Sequence, residues 1–306
     1  MAYTNEKDIK ARIAGVRDTR KITNAMYLIS STKMRKAKAA LDQTRPYFDS
    51  LHVEIARVFR TASDAESRYF YPPEGGEDLP GAYGYLVITA DRGLAGAYNL
   101  SVLKEMNRQR GLHGDNRIYM VGNYGRQYCR THDVAVEEDF HFSAQDATLH
   151  RAREISAILL DAYESGKISR LFVIYTDFCN GLQTNVVTAP ILPFQRAQFL
   201  KSAKSKARNR RDAEEFEFYP SVTQVLDYIV PSFVIGYIYS ALVDSFCSEQ
   251  NARMTAMDSA NQNAEQLIET LTLEYNHLRQ DAVTQEITEI SAGAKAQKRS
   301  KGGSGR

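Results

Sequence analysis

The sequence predicts an α/β protein: a long antiparallel coiled coil of N- and C-terminal helices plus a central, Rossmann-like, mostly parallel-sheet domain. Three observations predict it. Apolar residues recur at spacings near three and four from Ile9 to Phe59, and again from Val234 to Ile290. That is the period of a helix buried along one stripe. Between these stretches the pattern changes to short apolar runs alternating with helical segments and turns, the signature of strands crossing over through helices.

The first helix occupies residues 1–60. Ile9, Ile13, Val16, Ile22, Met26, Ile29 and Met34 open the stripe; Leu41, Phe48, Leu51, Ile55, Val58 and Phe59 prolong it. Gly15 and Pro46 are its interruptions, and Pro46 should bend or break it, or be tolerated with a kink, since proline removes one backbone bond and crowds the preceding turn. Residues 61–82 read as a polar connector, with Pro72, Pro73 and the Gly75–Gly76 pair making turns.

The central domain runs over residues 61–220. Strands are expected at Tyr85–Thr89, Arg117–Val121, Leu171–Thr176 and Val186–Leu192, the last closed by Pro190 and Pro193. Helices are expected at Leu94–Arg110 and Leu149–Tyr163. The run KSAKSKARNRR, Lys201–Arg211, reads as an exposed loop, and EEFEFYP after it as an added strand.

The second long helix covers 221–292, with Pro231 read as a first-turn proline, whose missing N–H no helix would use there. Val234, Ile238, Leu242, Val243 and Phe246 precede a thin stretch, SEQNARMTAMDSANQNA; Leu267, Leu271, Tyr275, Leu278, Ile287 and Ile290 follow it. In that stretch Ala252, Ala256, Ala260 and Ala264 fall four apart beside Met254 and Met257. Small residues allow close helix approach and methionine fills uneven gaps, so the stretch reads as a face thinned for packing rather than a hinge. Two long helices at opposite ends of a chain can bury each other's stripes. Residues 293–306 read as a basic, disordered tail.

Composition narrows the function. Of 306 residues, 43% are hydrophobic and 25% charged, a folded chain rather than a disordered one. The net charge is +2, but residues 1–45 hold eleven Lys/Arg against four Asp/Glu, and the last fifteen residues hold five basic groups and no acid. Such asymmetry suits nucleic acid, a membrane surface or an acidic protein. Cys129, Cys179 and Cys247 lie far apart, without metal spacing and odd in number, as expected for buried thiols in a reducing compartment. No apolar run reads as a membrane span or a signal core, so a soluble chain is expected.

No catalytic set emerges. TADRGLAGAYN places Asp91, Arg92, Gly93 and Gly96 just after the first strand, yet only one Gly-x-x-Gly pair stands where a dinucleotide fingerprint needs three glycines. A structural turn, a protein-contact loop and a nucleotide site all remain open there. There is no P-loop, no Gly-x-Ser-x-Gly elbow, and no histidine pair with ligand spacing. Catalytic, cofactor-binding and metal residues are therefore expected to be absent. Lys33, Arg35, Lys36 and Lys38 form a compact basic patch that suits a solvated face, phosphates or an acidic protein surface.

Three motifs in order then carry a resemblance. DIKARIAGVRDTRKITNAM with SSTKMRKA, ITADRGLAGAYN, and SEQNARMTAMDSANQNAEQLI with LEYNHLRQDAVTQEITEI resemble the gamma-subunit family of F-type ATP synthases of the bacterial type, from about residue 4 to 292. The resemblance implies a central-stalk rotor inside a ring of three alpha and three beta subunits, which hold the nucleotides. It implies further contacts with epsilon and the membrane c-ring, no nucleic acid, no membrane span of its own, and a peripheral place on the cytoplasmic face of a bacterial membrane. By the same resemblance Met26, Lys33, Arg35, Lys36, Gln280 and Thr284 are torque or subunit contacts, and Asp91, Arg92, Gly93 and Gly96 a structural or contact loop; Glu249 and Arg253, four apart on one helix face, can pair with each other or across to the ring. The alternatives are a coiled-coil scaffold or nucleic-acid adaptor with an α/β head, and a dinucleotide-dependent enzyme.

Overall fold

The computed structural model describes residues 6–61, 67–71, 79–145, 147–180, 183–195, 218–219 and 221–302. Its elements are α1 (Glu6–Thr61), β1 (Tyr83–Ile88), α2 (Tyr98–Leu112), β2 (Asn116–Val121), α3 (Asn123–Thr131), α4 (Leu149–Glu164), β3 (Arg170–Asn180), β4 (Gln183–Leu192) and α5 (Val222–Gly302). The chain divides into two compact units, one of residues 1–29 with 255–306, the other of residues 30–254.

In the first unit the two long helices run antiparallel. Ile9 and Ile13 are buried with Leu271, and Val16, Tyr275 and Leu278 pack around them. Moving up α1 means moving down α5: Thr23 donates to the Asn261 side chain, and Arg20 pairs with Glu265 at 3.2 Å. At the far end the Tyr275 hydroxyl bonds the Glu6 carboxylate. The alanine ladder faces inward as the spacing predicts, with Ala256 and Ala260 half-buried, Ala264 buried and Met257 buried beside them.

The second unit holds a four-stranded sheet of order β2-β1-β3-β4. β1 pairs in parallel with β2 and β3, and β4 returns antiparallel to β3. The central strands are buried on both faces, which is why Tyr85–Ile88 reads as a continuous apolar run rather than an alternating one. On one side lies a large core built from Leu86, Ile88, Val121, Ile155, Val173 and the inner stripe of α5. On the other, α2 and α3 bury Val102, Leu103, Met106 and Cys129 against Tyr85, Val87 and Ile174.

Several sequence expectations change. Pro46 neither breaks nor ends α1, and Pro231 stands well inside α5, which begins at Val222. Near Pro231, Leu226, Val230, Val234 and Ile238 are each fully buried. Their core packing carries the helix past a missing backbone bond. Pro190 does not close β4 but sits within it, opposite Phe172, at a shift in register, where a strand tolerates a residue with no N–H. α3 was not legible at all. α5 continues through Gly302 where an irregular tail is expected from 293. The expected loop at Lys201–Arg211, the turns at Pro72–Gly76 and most of the acidic aromatic run after Asp212 lie outside the described residues.

α5 contains an 18-residue stretch of mean hydropathy 1.5, long and apolar enough to cross a bilayer, but half of it is buried inside the protein. Such burial is what the core helix of a folded domain shows.

Candidate functional site

The polar residues that the sequence scatters over 160 positions meet at the carboxyl end of β1 and beside the middle of β3. One stretch of α5, Ser245–Arg253, gathers them. The Thr176 amide donates to Ser245 Oγ at 3.2 Å, and Ser248 Oγ donates to the Thr176 carbonyl at 3.3 Å. Two serines one turn apart thus take up the backbone groups that β3 leaves unpaired where β1 stops. Tyr98, which is buried, hydrogen-bonds Ser245 and Thr176, and its phenol is pushed well above the ordinary range by burial.

Arg253 is the next link. Its Nη1 donates to the Gly93 carbonyl at 2.9 Å and its Nη2 to Glu249 Oε1 at 2.5 Å. Both side chains are nearly buried, 11% and 8% exposed. Burial pushes the Glu249 carboxyl up; the Arg253 guanidinium pulls it down, as does Lys33 from α1 more weakly, while Asp91 adds to the rise. A buried carboxylate of this kind stays only because its charge is paired.

The β1–α2 loop is pinned from every side. Asn99 Oδ1 accepts from the Ala90 amide at 2.9 Å, and its Nδ2 donates to the Arg92 carbonyl at 3.3 Å. Asp91 accepts from the Asn123 amide at 2.9 Å, from Ser143 Oγ at 2.6 Å and from the Gln145 amide at 3.1 Å. Ala95 and Tyr98 pack with Ala90 against Ala252. The outcome is a turn with Gly96 at φ 53° and Leu94, a non-glycine, at φ 63°. Leu94 is 66% exposed. A left-handed leucine is strained and persists only where its surroundings overdetermine it.

This geometry bears on the nucleotide alternative. In dinucleotide folds a phosphate sits at the carboxyl end of the first strand, on a helix N-terminus. Here the loop between β1 and the N-terminus of α2 carries the Asp91 carboxylate, which is bonded to the Asn123 amide of α3 and would repel a phosphate. The position is built as a loop anchor. Gly122 makes the approach feasible: at φ 93°, a Cβ would stand 2.3 Å from the Thr89 carbonyl.

The structure therefore brings together Asp91, Arg92, Gly93, Gly96, Glu249, Arg253 and Lys33. The other candidates do not join them. Arg35 and Lys36 are exposed on α1, as is Lys33. Met26 is half-buried and, like Gln280 and Thr284, belongs to the other unit. Gln280 and Thr284 share one exposed face, where Thr284 Oγ1 donates to the Gln280 carbonyl at 2.8 Å. Sequence reasoning missed Tyr98, Asn99, Ser143, Ser245 and Ser248. Asn99 and Ser143 alone among them stand between two apolar neighbours, a polar residue in an apolar setting.

Comparison with known proteins follows the same lines. The family model described as ATP synthase matches residues 5–297. The ATP synthase gamma chain of Ruminiclostridium cellulolyticum is 36% identical over 293 residues, 95% of this chain and 98% of that protein. That of Caldanaerobacter subterraneus subsp. tengcongensis is 38% identical over 293 residues, 94% and 99% of the two chains. The sodium-ion-specific gamma chain of Acetobacterium woodii is 31% identical over 302 residues, covering 95% and 98%. Among solved structures, a chain of the Euglena gracilis mitochondrial ATP synthase superposes with a TM-score of 0.66 at 14% identity, over 97% of this chain and 95% of that one. A chain of the Tetrahymena thermophila mitochondrial ATP synthase central stalk and c-ring gives 0.56 at 22%, over 78% and 99%.

Proposed function

This chain belongs to the ATP synthase gamma chain family, the central-stalk rotor, and we propose on that premise how its own residues carry torque. One observation supports the reading above the rest. α5 continues beyond Tyr275, the partner of Glu6 at the described start of α1, and residues 281–295 are exposed on all sides. Val283, Ile287 and Ile290, at 47%, 59% and 72% exposure, lie on this stretch. A lone helix is marginal in water, and exposed apolar residues of this kind ask for a surrounding surface. A sleeve of alpha and beta subunits supplies one. Ile22, Leu28 and Ile29 on α1 are exposed as well.

The partners fit the charges. Lys33, Arg35 and Lys36 present cations on α1 to acidic loops of beta subunits, three alpha and three beta forming the ring. Met26, Gln280 and Thr284 make the contacts nearer the helix tip. The Asp91–Gly96 loop, clamped by Arg253, offers Leu94 as a stiff apolar contact. Because these features occupy some faces and not others, each rotor angle presents a different surface to each beta subunit. Differential contact is what couples rotation to nucleotide affinity. The gamma chain is a peripheral part of the membrane-bound synthase; for this chain we place it on the cytoplasmic face, with epsilon and the c-ring as its further partners. The nucleotide chemistry belongs to the ring.

The test is ATP hydrolysis by an alpha–beta ring with and without this chain, while a bead on the α/β unit is followed. Stepwise rotation driven by ATP is expected. Replacing Lys33, Arg35 and Lys36 together by glutamate should lower torque and weaken its dependence on salt, since the contacts are electrostatic. A chain that never enters a hydrolysing ring would overturn the rotor reading; torque unchanged by the triple reversal would remove the basic face from it.

A further inference from the structure

β3 outlasts its parallel neighbour. β1 pairs with it as far as Ile174, while β3 runs on to Asn180 against β4 alone. In a strand the amide and carbonyl of one residue point to the same side, and at Thr176 that side is the one β1 has vacated. α5 takes its place. Ser245 Oγ accepts from the Thr176 amide at 3.2 Å, and Ser248 Oγ donates to the Thr176 carbonyl at 3.3 Å. Further along, Arg253 donates to the Gly93 carbonyl at 2.9 Å.

Ser245, Ser248, Glu249, Ala252 and Arg253 stand at i, i+3, i+4, i+7 and i+8, one face of the helix. Both serines are buried. Ala252 packs the same face against Ala90, Ala95 and Tyr98. Just beyond, at Met254, the α/β unit ends, and α5 continues into the other unit. Earlier turns are held differently. Val230, Val234, Ile238 and Leu242 are buried in the apolar core, and apolar burial is non-directional. A hydrogen bond instead weakens steeply as it departs from straight. The bonds of Ser245, Ser248 and Arg253 end on backbone atoms, which cannot follow a turning helix as a flexible side chain would. They therefore fix the rotation of α5 about its own axis.

We propose, on the premise that the chain is a rotor, that Ser245 and Ser248 are positioning residues for rotary coupling. With Arg253 they key α5 to the β3 backbone and the β1–α2 loop at its last turns within the α/β unit. Torque applied to that unit then turns the helix through the same angle. The hydroxyls touch no nucleotide; they act through the Thr176 backbone, by holding the helix at one angle to the sheet. Without them the apolar grip below remains, but the angle of the helix is free to wander, and part of each applied turn is taken up as twist.

The full chain is assembled in an alpha–beta ring held still without ATP, a bead is fixed to the α/β unit, and the angular spread of the bead is recorded. Ser245→Ala with Ser248→Ala should widen the spread, because both bonds to Thr176 are gone. In the same variant the Thr176 amide should exchange its hydrogen about tenfold faster. Ile155→Val thins the core of the same unit without removing a hydrogen bond; it should lower the denaturation midpoint and leave the spread as in wild type. A wild-type spread in the double serine variant would overturn the proposal and give torque transfer to the apolar core. Equal widening in Ile155→Val, or unchanged exchange at Thr176, would overturn it as well. Should the double variant fail to fold, Ser248→Ala alone is read in the same way. A wild-type chain that never enters the ring would count against the rotor reading instead, before any variant is compared.

Discussion

The ring of Phe48 lies flat against the backbone of Gly236: a Cβ built on that glycine would stand 2.1 Å from Phe48 Cδ1, 2.4 Å from Cγ and 2.6 Å from Cε1. Three atoms of one aromatic ring occupy the space, so no rotation of a flexible side-chain end relieves it. Here α1 and α5 approach closely enough to leave no room for a side chain at Gly236.

Gly236→Ala should therefore destabilise the α/β unit, despite the better helix propensity of alanine. Overpacking costs about 1–3 kcal/mol, against a propensity gain of about 1 kcal/mol. The denaturation midpoint should fall, and Gly236→Val should lower it further. Combining Gly236→Ala with Phe48→Leu should recover part of the loss, because the smaller side chain leaves room. Additive losses in the double variant would show that the clash is not the cause.

Arg253→Ala removes a donor from the Gly93 carbonyl and strands Glu249 in a buried place. Breaking a buried pair from one side costs about 3–5 kcal/mol. Glu249→Gln with Arg253→Gln should cost less than Arg253→Ala alone, since no charge is left unpaired. The Asp91–Gly96 loop should gain hydrogen exchange and protease sensitivity in Arg253→Ala, while β2 should not. Equal exchange in the loop before and after the change would mean that Asn99 and Asp91 hold it unaided.

Glu105 ties α2 to β4. It accepts from Arg108 at 2.8 and 2.7 Å, Gln109 at 2.8 Å and Thr188 at 2.7 Å. The Arg108 bonds first, with help from Gln109 and Thr188, lower its carboxyl to about 2 from 4.5. A depressed carboxyl contributes stability above its unfolded value, and loses it as pH falls from there through the folded value. Glu105→Gln should lower the urea midpoint at pH 7, with the difference from wild type shrinking below pH 4.5 and gone near pH 2. A difference independent of pH would assign the effect to packing instead.

The long helices were legible because burial repeats. Ile9, Ile13, Val16 and Leu271, Tyr275, Leu278 mark one stripe each, and a stripe of many turns outweighs local accidents such as Pro46. α3 left no such mark: Gly125 and Cys129 are its buried residues, too few for a period. Pro231 by itself suits a first turn, whereas Leu226, Val230, Val234 and Ile238, buried on both sides of it, hold it inside the helix.

The sequence by itself determined the two terminal helices, the α/β middle and the family, since each rests on patterns and motifs repeated along the chain. It also placed Asp91–Gly96 after a strand and set Glu249 four residues before Arg253. Only the tertiary structure decided that Arg253 reaches back 160 residues to Gly93 and that Ser245 and Ser248 take up the Thr176 backbone of β3. Helical burial is written locally, in a period that any stretch displays alone. A polar contact between distant segments has no period, and its partner exists only once hydrophobic packing has brought the two backbones together.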